Sequence, residues 1–330
     1  MKLQPWNLLK IWMEGSDNGQ HTVTTSKIGI ESPIATPASL ATADTGRLKY
    51  WTWWLPIFVL VWLLVLFLFF PAPLALLQRN WPLFLIGFLG ATIGNATAVG
   101  GGLVFIPVMM FVYHFPPVMA LKLALASQSF GMTSGALGWM RRGVIPFKSL
   151  GVMIPPLIIG AIFGSLIIRP NAYLVKGFFG PVSILIGLLT LFLLVRPGDS
   201  EDLPKNSKWP LAAVALVGGI LTGWVAIGIG EIVAAFLMLA YGIKAERGIG
   251  LGVLLLSITS IFLTLIHHFI LDGIPWEIAL FIGFGCVFGG RLGPYLSQWI
   301  GSFRLKLGFA LVAIIDGVIF VLQFIFLASG

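Results

Sequence analysis

The chain has 330 residues, 58% of them hydrophobic and only 10% charged, with a net charge of +8. A soluble domain of that length cannot hide so much apolar surface, so lipid must form part of its solvent. The basic residues punctuate apolar runs instead of clustering on a polar face, which excludes a nucleic-acid partner, and the lone Cys286 excludes an intramolecular disulfide.

Residues 1–50 are rich in Ser, Thr, Gly and Ala without a sustained apolar period, and read as a disordered cytoplasmic tail. Apolar segments long enough to cross a bilayer follow at about 54–77, 117–140, 149–169, 173–195, 247–270, 275–299 and 304–327. The first is an extra transmembrane helix, occupying 51–78. Two other apolar segments, about 82–112 and 210–241, are too long for one simple span and too short for two. Each is broken near its middle, the first by Gly100, Gly101 and Gly102 and the second by Gly228 and Gly230.

Loop charge chooses between readings of these two segments. If both turn back and leave where they entered, twelve Lys and Arg near the membrane ends fall on one side. Four, Arg79, Lys122, Arg169 and Lys176, fall on the other. That is the asymmetry of a cytoplasmic and an external face, with Arg141 and Arg142 as cytoplasmic anchors. The expected fold is an all-α integral membrane protein of about seven spans plus two re-entrant hairpins. It would sit in the plasma membrane (the bacterial inner membrane) with the N-terminus cytoplasmic and the C-terminus external.

Each hairpin is followed by three spans, so residues 80–198 and 208–328 would form two inverted repeats. A shift of 129 positions lays Gly90, Gly94, Gly101, Gly160 and Gly164 on Gly219, Gly223, Gly230, Gly289 and Gly293. Inverted repeats that open with broken helices are an architecture of secondary transporters. The pairs Gly90/Gly94, Gly160/Gly164 and Gly289/Gly293 read as sites of close helix packing.

An unwound backbone is tolerated in hydrocarbon only where it lines a protein cavity or binds something. At the tip of a hairpin the second half-helix begins with unpaired N–H groups and the positive end of its dipole, a ready anion site. Asn95, Thr97, Gly100, Gly101 and Gly102, with Ser127, Gln128 and Ser129 from the next span, supply donors and close approach in the first half. Gly228, Gly230, Thr259 and Ser260, with Thr222, supply them in the second. The expectation is one small anion held between two opposed tips near the midplane. Glu231 follows Gly230, opposite Gly102 in the repeat, as a proton-coupling group or gate. Arg291 and Asp316, about 12 and 20 Å from the cytoplasmic end, are further coupling or gating residues that could pair with each other. Lys122 reads as a loop anchor, and His267 and His268 as amphipathic residues at the external interface.

"GNATAVGGGLVFIPVMMF" and "ALKLALASQSFGMTSGALGWMRRGVIPFK" resemble the opening repeat of the TauE/SafE family, the sulfite exporters. "GWVAIGIGEIVAAFLML" and "HHFILDGIPWEIALFIGFGCVFGGRLGPYLSQWI" resemble its second repeat, where GIGE replaces a full glycine triplet. The resemblance covers roughly residues 80–327. It implies secondary transport, by alternating access, that exports sulfite or a small organosulfur anion such as sulfoacetate. No cofactor, no metal and no catalytic residue are expected; the features leave room for protons as coupling ion and for a homo-oligomer. The alternative is an integral membrane enzyme acting on a lipid-linked phosphate, but the carboxylate or His/Arg/Asp cluster it needs is missing from the hairpin tips. A divalent-cation transporter lacks ligands for the same reason.

Overall fold

The computed structural model describes residues 54–194, 200–204, 206–299 and 302–328; the expected tail, residues 1–50, lies outside them. The chain divides into two compact units, Met1–Val61 and Trp62–Gly330. Of the first, residues 54–61 are described and open helix α1 (Trp54–Phe69). The second unit holds everything that follows.

The apolar run 54–77 is not one helix, because the chain breaks between Phe69 and Pro73. Pro71 and Pro73 both lack an N–H and disfavour helical geometry in the residue before them, and Ala72 takes a left-handed φ of 54°. Proline hardly lowers the hydropathy of such a run, so the break is silent in an apolar count. Helix α2 therefore begins at Pro73, earlier than the expected start near residue 82, and runs to Thr97. It is followed by α3 (Gly102–Pro107), which passes into a π-helical turn at Val108–Val112, and by α4 (Pro117–Arg141). Next come α5 (Leu150–Ile162), extended by a second π-helical turn at Phe163–Ile167, and α6 (Ala172–Leu194). The second half repeats the order with α7 (Lys208–Val225), α8 (Ile229–Tyr241), α9 (Ala245–Phe269), α10 (Trp276–Trp299) and α11 (Ser302–Ala328).

Among the described residues, five helical segments are long and apolar enough to cross a membrane: Pro73–Thr97, Phe147–Ile167, Lys208–Val225, Ala245–Phe269 and Trp276–Ser297. The burial pattern is that of a protein dissolved in lipid. Leu68, Ile159, Ile167 and Leu185 stand exposed, while Asn95, Gln128, Thr222, Glu231 and His267 are buried. Trp62 fastens α1 to α10 by donating its indole N–H to Leu280 O at 3.1 Å and packing on Phe281 and Phe284.

Contacts at the helix ends define two faces. On one, Asn80 Nδ2 donates to Glu277 O at 3.0 Å, Lys122 Nζ donates to Leu271 O, and Ser165 Oγ lies 3.2 Å from His267 Nε2. On the other, Ser200 bridges to Ile243, and Lys244 and Arg247 pair with Glu201. The 25 residues of α9 separate the two faces by about 37 Å at 1.5 Å per residue. Segment α2–α3 begins near Asn80 and ends beside the start of α4, so it enters and leaves on the first face. Segment α7–α8 begins just after the Ser200–Leu203 stretch and ends just before Lys244, so it enters and leaves on the second.

Neighbour relations in one half recur in the other. Helix α2 packs along α10, and α7 packs along α5; α4 packs on α9, and α6 on α11. Glycine makes the first two contacts possible. A Cβ on Gly289 would collide with Phe88 O and one on Gly293 with Thr92 O; on Gly160 and Gly164 it would collide with Leu216 O and Ile220 O. Gly90 packs instead against Phe105 and Val104 of its own hairpin's return arm.

Crowding of this kind fixes an expected outcome. Gly289→Ala forces backbone apart and should lower stability by about 1–3 kcal/mol. Gly151→Ala, with open space around its Cβ, should be neutral or stabilise by up to about 1 kcal/mol. Thermal unfolding of the detergent-purified variants, followed by tryptophan fluorescence, measures both; equal midpoints would contradict the packing account.

Candidate functional site

The two hairpin tips meet in the middle of the bundle. One apolar core holds Ala120, Leu121 and Leu123–Ala126 of α4 and Leu263 and Ile266 of α9; the other holds Met132, Ala136 and Trp139 with Ile249, Leu251 and Val253–Leu256. Between them lies a polar layer made of Ser127, Gln128 and Ser129 on α4 and Ser257, Thr259 and Ser260 on α9. The tips insert at that layer.

Both tips are built alike. Helix α2 ends at Ala98, φ 61°, whose N–H bonds Gly94 O; α7 ends at Ala226, φ 59°, whose N–H bonds Thr222 O. Left-handed caps of this type turn the chain and satisfy a carbonyl of the last helical turn. The caps face each other's glycines: a Cβ on Gly102 would lie 2.6 Å from Ala226 O, and one on Gly230 would collide with Ala98 O. These reciprocal contacts put Ala98 opposite Ala226 and Gly102 opposite Gly230, an offset of 128. The uniform offset of 129 is therefore one residue out at the tips, where Glu231 corresponds to Leu103 and not to Gly102. It does hold at Gly160/Gly289 and Gly164/Gly293, so the second half carries one extra residue between its tip and α10. Gly228, at φ +133°, occupies a conformation that only glycine adopts without strain.

Glu231 ties the tips together. Its Oε1 accepts the N–H of Gly100, from the other hairpin, at 2.6 Å, and its Oε2 accepts the N–H of Gly228 at 3.0 Å. The carboxylate is 6% exposed. It sits in the first turn of α8, where the helix dipole favours negative charge. The neighbouring N–H, that of Ile229, bonds Thr222 Oγ1 at 3.1 Å. Gln128 completes the layer, donating to Ala226 O at 2.7 Å while accepting from Ser260 Oγ at 3.1 Å. Beside Glu231 is a cavity of about 20 Å³, room for one water, lined by Thr97, Thr190 and Val99 among others.

The residues selected from the sequence thus divide. Gly100, Gly102, Gln128, Gly228, Gly230, Glu231 and Ser260 meet at the tips. Gly101 lies against its own Phe105 and the Gln128 side chain. Asn95 is fully buried one turn back and acts as a clamp: Nδ2 donates to Ala91 O at 2.8 Å and Gly131 O at 3.2 Å, and its main-chain carbonyl accepts from Trp139 Nε1 at 3.0 Å. Thr97, Ser127, Ser129 and Thr259 direct their hydroxyls to carbonyls of their own helices. Arg291 is within electrostatic reach of Tyr295 and Arg141, at the face where Arg142 stacks on Trp139 and Tyr295. Asp316 sits on α11, whose main neighbour is α6, while α10 packs on α2 and α4. The structure places the two on different neighbours. Thr190 of α6 was not singled out from the sequence, since a lone threonine in an apolar span carries no local signal. His267 is fully buried and not interfacial, whereas His268 is exposed and accepts from Trp276 Nε1 at 3.1 Å.

Comparison with known proteins agrees with this architecture. The profile of the family described as "Sulfite exporter TauE/SafE" matches residues 83–320, from early α2 to late α11. The probable membrane transporter protein YunE of Bacillus subtilis (strain 168) is 24% identical over 262 residues, covering 71% of this chain and 94% of that protein. No solved structure matches the chain. The chain is a multi-pass membrane transporter, and it belongs to the sulfite exporter TauE/SafE family.

Proposed function

We propose that the chain exports a small sulfur oxyanion, sulfite or an organosulfonate such as sulfoacetate, by alternating access of a site at the hairpin tips. The family's description supports the sulfur chemistry, and the tips support the site. One observation carries the reading: backbone N–H groups of Gly100 and Gly228, from hairpins entering on opposite faces, converge on a single anionic group, the Glu231 carboxylate. A site that satisfies one carboxylate in this way has the donors for an oxyanion. In the arrangement seen, Glu231 fills the place of the cargo.

Substrate entry then requires Glu231 to give up the Gly100 N–H. Protonation does this without bringing two negative charges together, which couples one proton to one anion. Among the described residues no ion pair reaches Glu231, which leaves its own proton to set the switch. Gln128, steadied by the Ser260 hydroxyl, donates its second amide hydrogen from the adjoining layer, and Asn95, Thr97, Ser127, Ser129 and Thr259 hold the helices around it. Arg291, next to Arg141 and Arg142, gathers anions at the cytoplasmic face, and Asp316 completes the gating set. In this orientation seven spans and two hairpins form two inverted repeats in the bacterial inner membrane, with the N-terminus cytoplasmic. An outgoing anion gains about 2.3 kcal/mol per charge per 100 mV from an inside-negative potential.

Two measurements test the reading. Purified protein screened by thermal shift against sulfite, sulfate, sulfoacetate and phosphate should be stabilised by a sulfur oxyanion. Gln128→Leu, similar in volume, should weaken that binding about tenfold, the loss of roughly 1.4 kcal/mol; stabilisation by none of the four would overturn the site. In proteoliposomes with sulfoacetate as probe, whose charge does not change in this range, transport by the wild type should vary with pH, while Glu231→Gln, which cannot ionise, should give a rate flat to within about twofold between about pH 6 and pH 8. A Glu231→Gln protein with the wild-type pH profile would remove Glu231 from the coupling role.

A further inference from the structure

One face of α9 leads away from the tips. Ser260, Thr264 and His267 are spaced by four and three residues, so they stack on one side of the helix. Ser260 belongs to the tip layer through Gln128. His267 lies about 10 Å further toward the face that carries Lys122, at 1.5 Å per residue.

Three features beyond Ser260 are unexplained by packing. Thr264 Oγ1 and His267 Nδ1 are buried and have no hydrogen-bond partner, although the two side chains are 6% and 0% exposed. An unsatisfied buried polar group costs about 1–3 kcal/mol, and here two occur within one helical turn. His267 Nε2 is held by Ser165 Oγ at 3.2 Å. Ser165 sits in the π-helical turn Phe163–Ile167, a kind of irregularity frequent at functional sites. The ammonium of Lys122 bears electrostatically on His267, donates to Leu271 O, and has no carboxylate within 4.0 Å among the described residues.

We propose that Ser165, Thr264, His267 and Lys122 form a second anion site, on the Lys122 side of the hairpin tips, where a small oxyanion rests between leaving the tips and release. The inference rests on the transport reading above. Lys122 excludes cations and supplies the only formal charge in the group. With the Ser165 hydroxyl donating to Nε2, His267 carries its proton on Nδ1 and donates it to the anion. The Thr264 hydroxyl is the second donor. The site thereby accounts for both orphaned atoms with one ligand, and it continues the polar layer outward through an otherwise apolar core.

The test uses the full chain in vesicles of uniform orientation, with sulfite and sulfoacetate as probes. Efflux of either probe is inhibited by the same anion added on the Lys122 side, and the concentration giving half-inhibition is measured. Thr264→Val, similar in shape, and Lys122→Gln should each raise that concentration about tenfold, roughly 1.4 kcal/mol of binding. The dependence on anion at the opposite face should stay within about twofold. A purely structural role would alter both sides or only the unfolding temperature. Half-inhibition unchanged in both variants overturns the second site while leaving the tips in place. A wild type that moves neither probe overturns the transport reading itself, and is seen before any variant is made. His267→Ala adds a third reading if it folds; the two milder variants decide the matter if it does not.

Discussion

Everything in the interior depends on the need to satisfy backbone that has been taken out of a helix at mid-depth. Hydrocarbon offers no partners, and each orphan group there costs several kcal/mol. The chain meets this by bringing its two breaks together. Glu231 takes one N–H from each tip, Thr222 takes the next, and Gln128 covers the carbonyl of Ala226. Gly102 and Gly230 let the opposing carbonyls approach. The helices outside follow from this centre. Both first arms must lie tight against a helix of the other half, which is why glycines line the α2–α10 and α5–α7 contacts.

Much of this could be read from the residues. Composition and run length located the helices, the Lys and Arg tally implied that both broken segments turn back, and the triplet at Gly100–Gly102 marked a tip. Two kinds of feature escaped. The break at Phe70–Ala72 is hidden because proline interrupts a helix without making it polar. The one-residue difference in offset is hidden because helix-to-helix register is set by contact between segments far apart in the chain, and a glycine matches another glycine equally well in either register.

The candidate site was legible as a set of polar residues and illegible as a geometry. The sequence showed Glu231 beside the second tip, but its strongest interaction is with Gly100, 131 positions away. Asn95 looked like a donor to a ligand and is a clamp between α2 and α4. His267 looked interfacial because it stands near the end of an apolar helix next to another histidine. Helical periodicity separates them: one residue of rotation turns His268 outward and His267 into the bundle.

The two halves are alike in contact but unequal in charge, and the inequality gives the tips different needs. Glu231 has Leu103 as its counterpart, a buried apolar residue, so one carboxylate serves both tips. Its bond to Gly228 is local, three residues away within the same cap, and survives any rigid movement of α8. Its bond to Gly100 crosses between halves and is lost if the halves separate. Movement of one half against the other therefore leaves the second tip satisfied and the first with an unpaired N–H in a low-dielectric interior. The oxyanion proposed as cargo would remove that cost on arriving there, without disturbing the second tip. In the proposed mechanism, the first hairpin is thus the half that needs a ligand, and the second is the half that carries its substitute.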